Sequence, residues 1–272
     1  MTAPTTYPAS PQSQLTPPRG ALSDFVAWDG GCLLIGTLGG LVPPHAHYAI
    51  QIAFGSVPGI RFRSGGEPWT TYGGAMIPSR QPHEMDSTAL PDWAIIFVEP
   101  ETRVGRALTE RWLGQGIAAM PADVLAEVAP PLFSAWRDRR DANAVRAAAQ
   151  DVVAALVRGT DPVRVPDERI LRAVAYIKSH LDAPLTLEEV AAEACLSPSR
   201  FRHLFVEQTG MALRPYILWR RFLRVWELIM GGATLSSAAH AAGFADAAHL
   251  TRTSRRMFGI PPSVLQTAGR LH

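Results

Sequence analysis

The sequence predicts an α+β multidomain chain in which an N-terminal β-barrel is followed by helices and then by an all-α domain with two helix-turn-helix units. Three observations carry that expectation. Short apolar runs punctuated by Gly-Gly pairs fill residues 21–100, helical periodicity replaces them over 101–158, and one pattern is written twice between Thr186 and Leu265.

The duplicated pattern is the most informative stretch. Its first copy runs from Thr186 through Cys195 and Ser197 to Phe205, closing on Thr209-Gly-Met211, and its second runs from Thr234 through Asp246 to Ser254, closing on Phe258-Gly-Ile260. Thr186 with Glu189 forms a capping box, followed by Leu187, Val190, Ala191 and Ala194 at helical spacing. Ser197 is a natural N-cap and Pro198 suits the first helical position, so a second helix starts after a sharp corner. On it, Phe201, Leu204, Phe205 and Gln208 share one face, leaving Ser199, Arg202, His203 and Val206 on the other. In the second copy Asp246 caps, Leu250 turns inward, and Ala248, Thr251, Arg252 and Arg255 point out. Between the copies, Tyr216, Trp219, Phe222, Leu223, Trp226 and Ile229 form an apolar stripe on a long helix that fixes the two units relative to each other.

These residues, over roughly Pro166 to Leu265, resemble the DNA-binding domain of AraC/XylS-type transcription regulators. The resemblance implies that Ser199, Arg202 and His203 read bases in one major groove of promoter DNA, while Thr251, Arg252, Arg255 and Ala248 face the next. It departs from the family at Ser254, which replaces a core Phe, and at Leu265, which replaces a Tyr. Ala247 and Ala248 have little base-edge chemistry, which inclines the second unit toward holding the backbone. RNA polymerase and a second copy of the chain, as a homodimer, are the partners such a regulator implies.

Residues 1–20 are rich in Pro, Ser, Thr and Gln, the composition of a disordered tail. From Leu22 onward, strands are expected at Phe25–Trp28, Cys32–Thr37, Tyr48–Phe54, Ile60–Arg63, Trp69–Tyr72, Ala75–Ile77 and Trp93–Val98, a spacing that suggests a β-sandwich or small barrel. If Pro43 to Phe54 is one strand, His45, His47, Ala49 and Gln51 share a face opposite Tyr48, Ile50, Ile52 and Phe54. With His83 further on, this segment resembles the paired motifs of cupins, which surround a divalent metal inside a barrel. The resemblance implies His45, His47 and His83 as ligands, with Gln51 where a Glu is usual. A neutral amide is the poorer ligand for a hard cation, so three readings stand here: a divalent metal site, a metal-free small-molecule effector pocket, and histidines that only hydrogen-bond. Trp69, Tyr72 and Trp93 are candidate pocket walls.

Helices are expected around Val104, Leu108 and Trp112; around Val124, Leu125, Val128, Leu132 and Trp136; and around Val145, Val152, Val153, Leu156 and Val157. They either dimerise or pack on the barrel. Residues 159–166 read as a linker, and Asp167 caps the helix that opens the DNA-binding domain, residues 167–268.

The chain has 272 residues, 47% hydrophobic and 18% charged, enough for two full cores. Net charge is +2, but residues from 166 onward carry +4 and the remainder −2, which places the basic excess on the helix-turn-helix half. Two cysteines make no disulfide framework, and Cys195 is expected to be a packed thiol. Without a long apolar run or a basic start before an apolar segment, a cytoplasmic protein with no membrane partner is expected. The leading function is therefore a small-molecule-responsive, sequence-specific DNA-binding regulator rather than an enzyme. The competing function is a cupin metalloenzyme, a dioxygenase or isomerase, with an accessory helical domain.

Overall fold

The structure, a computed structural model, describes residues 22–139, 141–162, 166–259 and 261–262. The expected tail over 1–20, most of the expected linker's second half, Ile260 and Leu265 lie outside the described residues. The strands are β1 (Ser23–Trp28), β2 (Gly31–Thr37), β3 (Leu41–His45), β4 (Ile50–Gly55), β5 (Ile60–Arg63), β6 (Thr70–Tyr72), β7 (Gly74–Ile77), β8 (His83–Asp86), β9 (Asp92–Val98) and β10 (Ala118–Ala119). They form a six-stranded sheet in the order β1-β2-β9-β4-β7-β10 and a four-stranded sheet in the order β3-β8-β5-β6, with antiparallel ladders. The expected closed barrel is corrected: among the described residues no ladder joins the sheets, and they face each other as an open sandwich.

The expected single strand over 43–54 is also two strands in different sheets. Pro43 and Pro44 have no N–H to give, which suits β3 to its place at the edge of the smaller sheet. Ile50–Gly55 is buried throughout and lies between β9 and β7 in the larger sheet. A segment cannot be edge and centre at once, so residues 46–49 leave the ladder and cross from one sheet to the other. His45 is thus on β3, His47 in the crossing, Gln51 on β4, and His83 on β8, a strand that the sequence reading did not register.

The helices are α1 (Arg103–Trp112), α2 (Ala122–Ser134) followed by a π-helical turn at Ala135–Arg139, α3 (Ala142–Val157), α4 (Glu168–Ser179), α5 (Leu187–Glu193), α6 (Pro198–Thr209), α7 (Leu213–Met230), α8 (Leu235–Ala241) and α9 (Ala247–Phe258). Of the two options for α1–α3, packing on the sheet is what the fold displays. Leu108, Val128, Leu132, Phe133, Val145, Val152 and Leu156 cover the sheet face that carries Leu33, Ile35, Ile50, Ile52, Ile96 and Val98. Trp136 Nε1 anchors this layer by donating to Asp24 Oδ2 at 2.7 Å. Val104, expected on the buried face of α1, is instead exposed.

Strand alternation turns Phe25, Cys32, Leu34, Ala53, Ile77, Ile95 and Phe97 to the opposite face, which meets the smaller sheet. That same apolar cluster continues without a break into Trp219, Phe222, Trp226 and Phe258 of the C-terminal domain. The two domains therefore share one core on this side. Trp219 and Trp226 are essentially fully buried, and removing a large side chain from water contributes about 1.5–3 kcal/mol apiece.

Candidate nucleic-acid interface and effector site

The two helix-turn-helix units are built alike. Thr186 caps α5 with a reciprocal capping box: its Oγ1 accepts from Glu189 N at 3.2 Å and its own N donates to Glu189 Oε2 at 2.9 Å. Thr234 caps α8 by accepting from Ser237 N at 3.1 Å. Ser197 and Asp246 then cap α6 and α9. Both turns pass through the left-handed region, at Cys195 (φ 54°) in the first and Gly243 (φ 77°) in the second. Cys195 adopts the conformation that the second copy gives to a glycine, and its side chain is exposed, which corrects the packed thiol. Both second helices end on a left-handed glycine, Gly210 and Gly259.

This scaffold presents the predicted reading residues to solvent. Ser199, Arg202 and His203 are exposed on α6; Ala248, Arg252 and Arg255 are exposed on α9. Thr251 is half-buried, and its hydroxyl is turned back to the Ala247 carbonyl at 2.8 Å. The opposite faces are core: Phe201 and Phe205 on α6, and Leu250, Ser254, Met257 and Phe258 on α9. Ser254 is fully buried on this core face.

The histidines converge although they come from three separate segments. One ring nitrogen from each of His45, His47 and His83 falls within 4.8 Å of the others. His47 and His83 are buried and His45 partly so. Each Nδ1 faces a main-chain carbonyl: His45 that of Pro43 at 2.9 Å, His47 that of Ala49 at 2.8 Å, His83 that of Gln81 at 2.8 Å. A neutral ring that donates from Nδ1 keeps a bare lone pair on Nε2. His83 Nε2 is buried with no hydrogen-bond partner, while His47 Nε2 sits 2.6 Å from Gln51 Oε1, itself an acceptor. Turning the amide around removes that conflict. Burial pushes His47 down to about 3, with His45 nearby adding to the effect, and pushes His83 down to about 2, with His47 and His45 adding to it. Burial also lowers His45. The rings are thus neutral donors at physiological pH, the state a metal requires.

Of the expected pocket walls, Tyr72 lies against Phe62, whose ring is 5.9 Å from His83. Trp69 lies beneath the guanidinium groups of Arg63 and Arg61, and Trp93 Nε1 donates to the Thr37 carbonyl at 3.2 Å.

What the sequence reading missed is the roof. Phe258, the last residue of α9, stacks over His47 at 6.4 Å and meets Phe97 at 5.9 Å and Trp219 at 5.5 Å. Around it, buried polar groups tie the domains together. Glu101 accepts from Tyr48 of the sandwich and Tyr216 of α7, both at 2.7 Å. Burial, followed by the Glu101 charge, raises both phenols well above their usual range and keeps them protonated donors. Glu99 pairs with Arg220 of α7 and Lys178 of α4, and Arg106 donates to Gln208 Oε1 of α6 at 2.7 Å. No local pattern announces such pairs, because their members lie 53 to 121 residues apart.

Residues 190–268 match a family described as a helix-turn-helix domain. The arabinose operon regulatory protein of Escherichia coli is 31% identical over 102 residues, covering 36% of this chain and 34% of that protein. Over this C-terminal segment the chain is similar to AraC-type regulators. The AraC-type segment is also 28% identical over 88 residues to the multiple antibiotic resistance protein MarA of Salmonella typhimurium, covering 32% of this chain and 69% of MarA. The chain covers about a third of the arabinose regulator's length, so that likeness concerns the AraC-type domain. The whole fold is similar to ToxT of Vibrio cholerae, with a TM-score of 0.59 over 89% of this chain and 100% of ToxT at 11% identity. Among the described residues no helix is long and apolar enough to cross a membrane.

Proposed function

We propose that this AraC-type chain is a transcription regulator that binds promoter DNA through α6 and α9 and takes a small effector in its N-terminal sandwich. The observation that carries this reading is the pair of equivalent units, each ending in a capped helix with one face in the core and an arginine-bearing face in solvent. Arg202 is the strongest candidate for direct readout, since a guanidinium can pair with two acceptors on a guanine edge. Arg252 and Arg255, exposed on α9, are the candidates for holding the backbone at an adjacent groove, since Ala248 and the internally bonded Thr251 offer that groove little base chemistry.

His45, His47, His83 and Gln51 are the candidate effector site. Three neutral imidazoles, one of them with a buried and unpartnered Nε2, suit a late first-row divalent cation, and an amide in place of a carboxylate suits it better than a hard cation. Bound there, the ion would supply a fixed positive charge. Catalysis is no part of this reading. ToxT, the structural neighbour, has been solved with an unsaturated fatty acid bound. For this chain an organic effector between the sheets is the second reading, supported by the buried, unpartnered Nε1 of Trp219 beside the His47 roof. A homodimer and contact with RNA polymerase belong to the proposal as partners.

The test is footprinting on fragments upstream of the gene and its neighbours with the full chain. Protection of two sites about one helical turn apart is expected. Binding with no preference between fragments, or none at low salt, would refute the regulator reading.

A further inference from the structure

We infer that the three-histidine cluster is a metal-operated clamp on α9, the second reading helix, working through Pro43 and Phe258. The inference rests on the regulator reading and adds how the site would act on DNA. Three features place the clamp. Pro43 O accepts from His45 Nδ1, and the same oxygen lies 3.0 Å from where a Cβ on Gly259, the C-cap of α9, would sit; Val42 lies 3.1 Å from that point. β3 therefore carries a metal-competent ring on one side and the α9 cap on the other. Phe258, at the end of the same helix, is the roof over His47 and only 4% exposed. His83 Nε2 is buried and, among the described residues, has no hydrogen-bond partner.

Loading the cluster must move these parts. The ring nitrogens lie within 4.8 Å of one another, whereas Zn–N bonds of about 2.0–2.1 Å hold ligand atoms no more than about 4 Å apart. His47 sits in the crossing segment and His83 on β8, so the edge strand β3, short and proline-bearing, is the part free to give. Drawing His45 inward pulls Pro43 and Val42 from beneath Gly259 and disturbs the Phe258 roof. The clamp loosens, and α9 can then follow the groove that α6 has fixed. By linkage, DNA that captures α9 tightens metal binding by the same factor.

The experiment uses full-length protein purified without an affinity metal, with Zn2+ as the probe. Amide exchange over residues 247–258 and anisotropy of the footprinted fragment are read with and without one equivalent. Zn2+ is expected to speed exchange in α9 and to tighten DNA binding by about five-fold or more. His45→Ala and His83→Ala should abolish both effects. Phe258→Leu and Val42→Ala should still bind Zn2+ but lose the DNA response. Failure of the wild-type chain to bind Zn2+, an unchanged or weakened DNA affinity on loading, or an undiminished response in Phe258→Leu and Val42→Ala would overturn the clamp. If Zn2+ speeds α9 exchange but neither form binds DNA, the clamp stands and the regulator reading fails.

Discussion

Tyr216→Phe tests whether the two domains are held by the buried carboxylate between them. The change removes one hydroxyl and leaves the ring, so packing against Phe205 and Tyr48 is kept. What is lost is a 2.7 Å bond from a neutral donor to a carboxylate that is 2% exposed, and such bonds contribute about 1.5–3 kcal/mol. Tyr48→Phe removes the matching bond from the sandwich side and should cost a similar amount. The two are not independent, because they share Glu101. With both gone, a buried carboxylate has lost both tyrosyl donors, and the double variant should fall by more than the sum of the two single losses, that is by more than about 3–6 kcal/mol. Urea unfolding followed by tryptophan fluorescence reads this directly, since Trp219 lies 5.9 Å from Tyr48 at the interface. A loss below about 0.5 kcal/mol for Tyr216→Phe, or strict additivity in the double variant, would refute the interdomain anchor.

Further outcomes follow from the reading face and the histidines. Arg202→Ala should weaken binding to the cognate fragment by about 1–3 kcal/mol and relax preference at one base pair; equal losses on every sequence would remove it from direct readout. Arg255→Ala should instead weaken all fragments alike and make the salt slope shallower, measured as log affinity against log salt concentration. His47 and His83 have folded values below the unfolded 6.5, so the unfolded chain binds more protons and stability is lost as pH falls below about 6.5. Between pH 7 and pH 5 the two together should cost about 3–4 kcal/mol. Urea midpoints should show that fall, and His47→Asn with His83→Asn should flatten it; a native protein indifferent to this range would contradict their burial as neutral rings.

The duplicated segment was legible because its signals are local. A capping box, an N-cap followed by proline and a glycine at each helix end act within a few residues, so α5, α6, α8 and α9 lie where the pattern put them. The seven expected strands are present with small shifts at their ends. β3 and β8 went unread because neither shows alternation strong enough to register, with Pro43-Pro44 in one and His83-Glu84 in the other. The one-strand reading of 43–54 put His45 and His47 beside each other by period. They do meet, but by way of a crossing between sheets, and Tyr48 consequently leaves the company of Ile50 and Ile52 for Trp219 and Tyr216.

By itself the sequence determined the two-part architecture, the twin helix-turn-helix units and most of the side chains that their second helices expose to solvent, since these depend on contacts within one turn of helix. Only the tertiary structure decided that the sheets stay open and that α7 and Phe258 complete the core on the open side. It also decided that Glu99 and Glu101 bind across the domains and that the histidine cluster lies under the end of α9. Those arrangements come from burying apolar faces that belong to distant segments, a choice that the whole chain makes and no window of it records.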